Sequence, residues 1–350
     1  MILECAGSRL FAKLASGAFL YNGFIMEKKD LRIVFMGTPD FAVASLRSLV
    51  EGGYNVVGVV TATDKPVGRH RNTLVAPAVK KYALEAGLPL LQPEKLKDED
   101  FLEALRAWKA DLQVVVAFRM LPEVVWAMPR FGTLNVHASL LPQYRGAAPI
   151  NWAVINGDRE SGVTTFFLRH DIDTGDVAMQ SRVPIGSDDT AGDLHDKLME
   201  EGARLLTGTV DRLIAGTLKP VPQVGMQCGA PLLPAPKIFT ETCRIDFAKG
   251  LDGVYDFIRG LAPHPAAWTE VSDGEQNYTM KIYRAAKRSA AHNEKRGTFV
   301  FDVADTMSIA VDGGYIDVLE LQLSGKKRMA VGDFLRGFRN VRSLRVLMAD

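Results

Sequence analysis

The sequence predicts an α/β protein in two parts, a doubly wound, mostly parallel sheet followed by a small β barrel, within 350 residues. Three observations carry this expectation. Between residue 31 and about residue 217, short β-branched runs alternate with stretches of helical period, the pattern of a parallel sheet covered on both faces. Residues 218–237 hold five prolines and two glycines without helical period, as a linker wrapping over a surface does. Beyond them come five short alternating segments with glycine turns, which suggest a small barrel. With 47% hydrophobic and 24% charged residues, the chain has an ordinary globular composition and enough apolar side chains for a large core.

Taken in order, residues 1–30 stand apart as an extension. The stretch LFAKLASGAFLYNGFI is apolar, but Lys13 interrupts it and no run reaches the roughly 20 residues that cross a bilayer, so no membrane anchor is expected. Met26, followed by EKKD and a strong strand, has the look of a native start, and residues 1–25 are expected to be disordered or to lie upstream of that start. Strands are drawn at 31–37, 55–63, 112–118, 133–139 and 162–170, with helices beginning near Asp40, Val75, Asp98, Pro122 and Ala148. Residues 190–217 put Leu194, Leu198, Leu205, Leu206, Leu213 and Ile214 on roughly one stripe, a long amphipathic helix that closes the domain. The chain thus divides into an extension (1–30), a sheet domain (31–217), a linker (218–237) and a barrel domain (238–345). The last has a helix near 251–261 and the segments WTEVSD, YTMKIYRA, GTFVFDV, MSIAVDG and GYIDVLELQLS.

Charge bounds the partners. The whole chain carries only +1, so no global field marks it as a nucleic-acid binder. Residues 281–345, however, hold 13 Lys or Arg against 7 Asp or Glu, a local excess of +6. On its own such a cluster is a solvated surface as readily as a phosphate track; a basic barrel fused to an enzyme-like domain favours the second. Cys5, Cys228 and Cys243 have neither zinc spacing nor a disulfide framework, which points to reduced thiols in a cytoplasm and no structural metal.

The first strand and its turn, FMGTPDFA, contain Gly37 but lack the second and third glycines of GxGxxG, so a dinucleotide is not expected there. The crevice at the carboxyl ends of the strands is left for another ligand. Candidate chemistry sits in TLNVHASLLPQYRGAAPI, where strand alternation puts Asn135 and His137 on one face and Leu134 and Val136 in the packing. A histidine taken alone is more often a satisfied structural one. The SLLP turn and Gln143, Tyr144, Arg145 and Gly146 after it make an irregular loop of the kind where function concentrates. In FFLRHDIDTGDVAMQ, Asp171, Asp173 and Asp176 surround Thr174 and Gly175; locally this reads as a β turn before it reads as a metal site.

These segments carry a resemblance to the folate-dependent formyltransferase superfamily over residues 31–338: MGTPDFA, the DKPVGRHR loop, VVVAF, NVHASLLPQYRGAAPINWAV and DIDTGDV. PAPKI and the terminal GKKRMAVGDFLRG narrow the resemblance to the methionyl-tRNA formyltransferases. It implies a formyltransferase-type, Rossmann-like sheet with an OB-like barrel, and a reaction moving formyl from 10-formyltetrahydrofolate to the amine of charged initiator tRNA, in the cytoplasm, by a monomer and without metal. It further implies that Asn135, His137 and Asp173 form the catalytic trio. Ser139, Leu140, Leu141 and Pro142 match the turn that holds the folate. Arg69 and Arg71 in the loop 64–74, and Lys326 and Lys327 in the barrel, match tRNA contacts. Phe118 stands for a usual tyrosine, Arg119 for a usual glycine and Ala138 for another; these departures touch the folate pocket rather than the trio.

The residue types suit that chemistry. Asn135 can donate to an oxyanion, His137 can move a proton, and Asp173 can orient the histidine or accept a proton through water, while the nucleophile arrives on the substrate. Two alternatives differ in class. A formyltransferase or formyl-folate hydrolase acting on a small amine or on water would keep the trio but have no use for the basic loop and barrel; a non-catalytic RNA-binding protein would keep the barrel and not need the trio.

Overall fold

The computed structural model describes residues 3–6, 9–13, 19–21, 24–67, 73–226, 231–302 and 306–347. By contact the chain forms two compact units, residues 1–145, 162–183 and 196–233 in the first and 146–161, 184–195 and 234–350 in the second.

Within residues 1–30, the stretch read as an extension that is disordered or upstream of the native start, the described residues include four short strands: β1 (Leu3–Ala6), β2 (Arg9–Lys13), β3 (Phe19–Tyr21) and β4 (Phe24–Ile25). They pair antiparallel in chain order and only with one another. After them come β5 (Arg32–Gly37), α1 (Asp40–Glu51), β6 (Asn55–Val60), the hairpin β7 (Lys65–Val67) and β8 (Thr73–Val75), α2 (Ala78–Glu85) and β9 (Leu90–Leu91). Then follow α3 (Glu99–Ala107), β10 (Leu112–Val116), α4 (Glu123–Trp126), β11 (Thr133–His137), α5 (Pro149–Ile155), β12 (Glu160–Phe167), β13 (Val177–Pro184) and α6 (Ala191–Ile214).

The main sheet runs β13-β12-β11-β10-β5-β6-β9. Strands β9, β6, β5, β10 and β11 are parallel, and β12 joins antiparallel to β11. The near-continuous apolar strands belong in its middle: every residue of β10 is buried, as are Ile33, Val34, Phe35 and Met36 of β5. Gly37 ends β5 where a Cβ would lie 2.6 Å from that of Ala42 and 2.9 Å from the Val116 carbonyl, so this glycine serves close packing of strand and helix. The amphipathic stripe of α6 is realised, with Leu194, Leu198, Leu206 and Val210 fully buried.

The second unit is built on α7 (Gly250–Leu261), β14 (Ala267–Ser272), β15 (Asn277–Ser289), β16 (Phe299–Asp302), β17 (Thr306–Val311), β18 (Gly314–Leu323), β19 (Met329–Ala330), α8 (Val331–Gly337) and β20 (Arg345–Val346). Its barrel-like antiparallel sheet has the order β16-β17-β18-β15-β14-β20, with β19 on β18 and a register shift in β15 between Ile282 and Ala285. Val254, Ile258, Met280, Ile309, Ile316 and Leu321 fill its core.

The contact division differs from one drawn at the proline shift, and hydrogen bonds explain why. Val221 bridges Val177 in both directions, Gln143 bonds both Pro231 and Leu233, and so most of 218–233 is knitted into the first unit. Residues 146–161 join the second because Asn151 of α5 donates to the Gly260 carbonyl of α7 at 2.8 Å and Ala147 donates to Ala235.

Candidate active site

β10 and β11 lie side by side in parallel, with Val116 opposite Val136, so both deliver their following loops to the same end of the sheet. Leu134 and Val136 are buried in the packing, as alternation requires. Asn135, between them, is half-buried, and its amide has no hydrogen-bond partner among the described residues. An amide held at a strand end with its N–H unspent is a donor available to a ligand.

His137 is only 7% exposed and sits edge-on to Phe166. Its Nε2 lies 2.9 Å from the carbonyl oxygen of Tyr144. A carbonyl only accepts, so Nε2 is the donor in this contact and Nδ1 is the acceptor nitrogen of the neutral ring. Nδ1 faces Asp173, 3.9 Å from its Oδ2. That is longer than a hydrogen bond, but two atoms at this separation can each bond a third placed about 2.8 Å from both. The geometry suits a shared proton-bearing atom between imidazole and carboxylate.

Both partners of His137 occupy unusual backbone. Tyr144 and Asp173 have φ of 59° and 54°, the left-handed region that non-glycine residues enter at a cost. Tyr144 is held by its N–H to the Leu233 carbonyl at 2.8 Å. The Asp173 turn is closed by Thr174 Oγ1 donating to the Asp171 carbonyl at 3.0 Å and by Gly175, where a Cβ would overlap the Phe167 carbonyl. Gln223, 2% exposed, donates to the carbonyls of both Asp173 and Gly175.

The turn of Ser139, Leu140, Leu141 and Pro142 is bonded inward. Ser139 and Leu141 are buried, Thr164 Oγ1 donates to the Ser139 carbonyl at 2.7 Å, and Gln180 Nε2 donates to that of Leu141, also at 2.7 Å. Leu141 packs with Phe166 and Val177. These side chains shape the site's frame. Apolar surface near the strand ends comes instead from the loop after β10, where Met120 is 74% exposed and Phe118 half-buried. Arg119 next to them donates to the carbonyls of Pro93 and Glu94, so it ties two loops of the first unit together.

Of the tRNA-contact residues expected from sequence, Arg69 and Arg71 lie outside the described residues. The described residue before β7 is anchored: Lys80 and Gln92 hydrogen-bond Asp64, and the Gln92 bond first and the Lys80 ammonium next hold that carboxyl below the usual range. Lys326 and Lys327 are exposed in the turn after β18, with no ion-pair partner among the described residues. Much of the local basic excess is spent within the second unit: Lys287, Arg288, Arg296, Arg328 and Arg336 pair with Asp252, Asp317, Asp312, Glu320 and Asp333. Among the described residues no cluster of metal-binding side chains occurs, and no helix is long and apolar enough to cross a membrane.

Sequence reasoning missed Thr164, Gln180 and Gln223. Thr164 sits in a strand whose pattern shows little but burial, Gln180 in one that neither alternates nor forms an apolar block, and Gln223 in a proline-rich segment where no periodicity singles it out.

Comparison with known proteins shows which family the chain resembles. The family profile described as formyl transferase matches residues 31–210, and that described as the formyl transferase C-terminal domain matches 237–339. A methionyl-tRNA formyltransferase of Parabacteroides distasonis is 60% identical over 318 residues, 90% of this chain and 98% of that protein. Another, of Phocaeicola vulgatus, is 62% identical over 317 residues, with the same 90% and 98% coverage. Among solved structures, WlaRD, a sugar 3N-formyl transferase, aligns with a TM-score of 0.58 at 18% identity over 85% of this chain and 99% of its own. HypX from Aquifex aeolicus, in complex with tetrahydrofolic acid, aligns with a TM-score of 0.60 at 18% identity over 87% of this chain and 47% of its own. The chain belongs to the formyl transferase family, among the methionyl-tRNA formyltransferases.

Proposed function

We propose that this protein moves a formyl group from 10-formyltetrahydrofolate to the amino group of methionyl initiator tRNA, acting as a cytoplasmic monomer, with Asn135, His137 and Asp173 as its catalytic residues. The observation that carries the reading is the pairing of His137 Nδ1 with Asp173 Oδ2 at 3.9 Å, on the loop-bearing end of the strand that presents Asn135.

Each residue has one task. Asn135 donates its unspent N–H to the formyl oxygen as that atom gains charge under amine attack; donors of this kind contribute about 3 to 4 kcal/mol where they have been removed elsewhere. His137, neutral with its proton on Nε2, accepts the amine proton at Nδ1, and Asp173 stabilises the imidazolium so formed. The same Nδ1–H then returns the proton to the departing folate nitrogen. The donor supplies an activated formyl carbonyl and the tRNA its nucleophilic amine, so no protein nucleophile is required.

Met120 and Phe118 fit a flat heteroaromatic donor in being apolar and accessible beside β10, and we assign Ser139, Leu140, Leu141 and Pro142 to the frame of that site. Arg69 and Arg71 in the basic 64–74 sequence and Lys326 and Lys327 in the second unit are assigned to tRNA phosphates.

The test is transfer of labelled formyl from 10-formyltetrahydrofolate to charged initiator tRNA. Label on the methionine nitrogen supports the reading. Retardation of the tRNA without transfer would make the protein a binding module, and transfer only to a small amine or to water would place it elsewhere in the superfamily.

A further inference from the structure

We infer that Gln223 is a positioning residue that sets the separation between His137 and Asp173 by clamping the two loops on which they depend. The inference rests on the proposed catalytic roles of those two residues.

Gln223 lies in a segment whose composition reads as linker, yet it is 2% exposed while its neighbour Val224 is 90% exposed. Its side chain spends its full hydrogen-bonding capacity. Nε2 donates to the carbonyls of Asp173 and Gly175, each at 2.8 Å, and Oε1 accepts from Nε and Nη2 of Arg145 at 3.1 and 2.6 Å. The amide can point only this way, since a flipped one would set N–H groups against a guanidinium and an oxygen against two carbonyls. The backbone at Val221, paired with Val177 in both directions, delivers it there.

On one side, Gln223 fastens the carbonyls that bracket Thr174, in the turn where Asp173 is held at φ 54°. A left-handed aspartate persists only where its surroundings enforce it, and two bonds from one buried amide do so. On the other side it fastens Arg145, the residue after Tyr144, whose carbonyl fixes the His137 tautomer. One amide thus ties the support of the imidazole to the support of the carboxylate. Misplacing a catalytic group by about 1 Å can cost about a hundredfold in rate, so such a clamp has kinetic leverage without touching substrate.

Gln223→Glu tests this. The carboxylate keeps its attraction to Arg145 but turns oxygens toward both carbonyls. The expected result is a fall in kcat of about 10- to 100-fold, with KM for tRNA and for donor within about twofold and tRNA affinity retained as proof of folding. If the glutamate variant does not fold, Gln223→Met, of similar length and without hydrogen bonds, takes its place. The deciding readout is a double-mutant cycle with Asp173→Asn. If Gln223 acts through Asp173, adding its substitution to Asp173→Asn lowers kcat by less than about twofold further. Losses that multiply, or a change confined to KM, overturn the inference while leaving the role of Asp173 intact. Full kcat in Asp173→Asn alone overturns that role and the clamp's purpose with it.

Discussion

Replacing Lys326 and Lys327 together by alanine is expected to weaken tRNA binding and flatten its salt dependence while leaving transfer at saturating tRNA unchanged. The structure separates these two from their neighbour in the KKR run. Both lysines are exposed without an ion-pair partner among the described residues. Arg328 is engaged, 2.5 Å from Glu320 and 4.3 Å over the ring of Tyr283. Each lost phosphate contact removes about 0.7 to 0.9 from the slope of log affinity against log salt, so the double variant should lose about 1.4 to 1.8. Over a fourfold rise in salt, from about 50 to about 200 mM, the variant's affinity should then fall roughly 7- to 12-fold less than that of the wild type. Titrating labelled initiator tRNA across that range, with kcat measured in parallel, reads both quantities. An unchanged slope, or a slope flattened as much by Arg328→Ala, would refute the division of this cluster into free and engaged cations.

Further outcomes follow from the geometry. Asn135→Ala removes an amide with no hydrogen-bond partner among the described residues, so unfolding should shift by no more than about 0.5 kcal/mol while kcat falls about 100- to 1,000-fold; comparison of melting with turnover checks it. Thr190→Ala removes the reciprocal cap in which Thr190 Oγ1 accepts from Asp193 N–H at 3.2 Å and Asp193 accepts from Thr190 N–H at 2.8 Å, and should lower stability by about 1 kcal/mol in denaturant titration. Tyr255 is pushed up to about 12, first by burial and then by its hydrogen bond to Asp188. The native state therefore keeps this proton across the window from about pH 10 to about 12 in which the unfolded chain loses it. Stability from this group is present below that window and lost through it, so the wild type should lose stability with rising pH more steeply than Tyr255→Phe.

The sequence makes the sheet legible because buried parallel strands need near-continuous apolar runs, and LQVVV and RIVFMG are such runs. Strand alternation likewise gives the burial of Leu134 and Val136 around Asn135. β13 escapes detection because VAMQSRVP is buried at only two of its eight positions and neither alternates nor forms an apolar block. The site is legible as residue types, through its motifs, but not as distances. Nothing local in DIDTGDV says that Asp173 meets His137, or that Tyr144 supplies the carbonyl that fixes the tautomer. Gln223 is the sharpest case, since its four bonds reach residues about 50 and 78 positions away and leave no trace in the pattern around it. The charge excess of residues 281–345 is visible in the sequence, whereas only structure shows that Arg288, Arg296, Arg328 and Arg336 are already paired.

The most direct test of the central claim, that formyl reaches the amine of charged tRNA through proton transfer at His137, is single-turnover transfer by His137→Ala with donor and methionyl initiator tRNA both saturating. The account predicts a rate lower by about 100-fold or more, with tRNA affinity within about twofold of the wild type. Transfer at the wild-type rate, or lost tRNA binding with an unchanged rate at saturation, would contradict it.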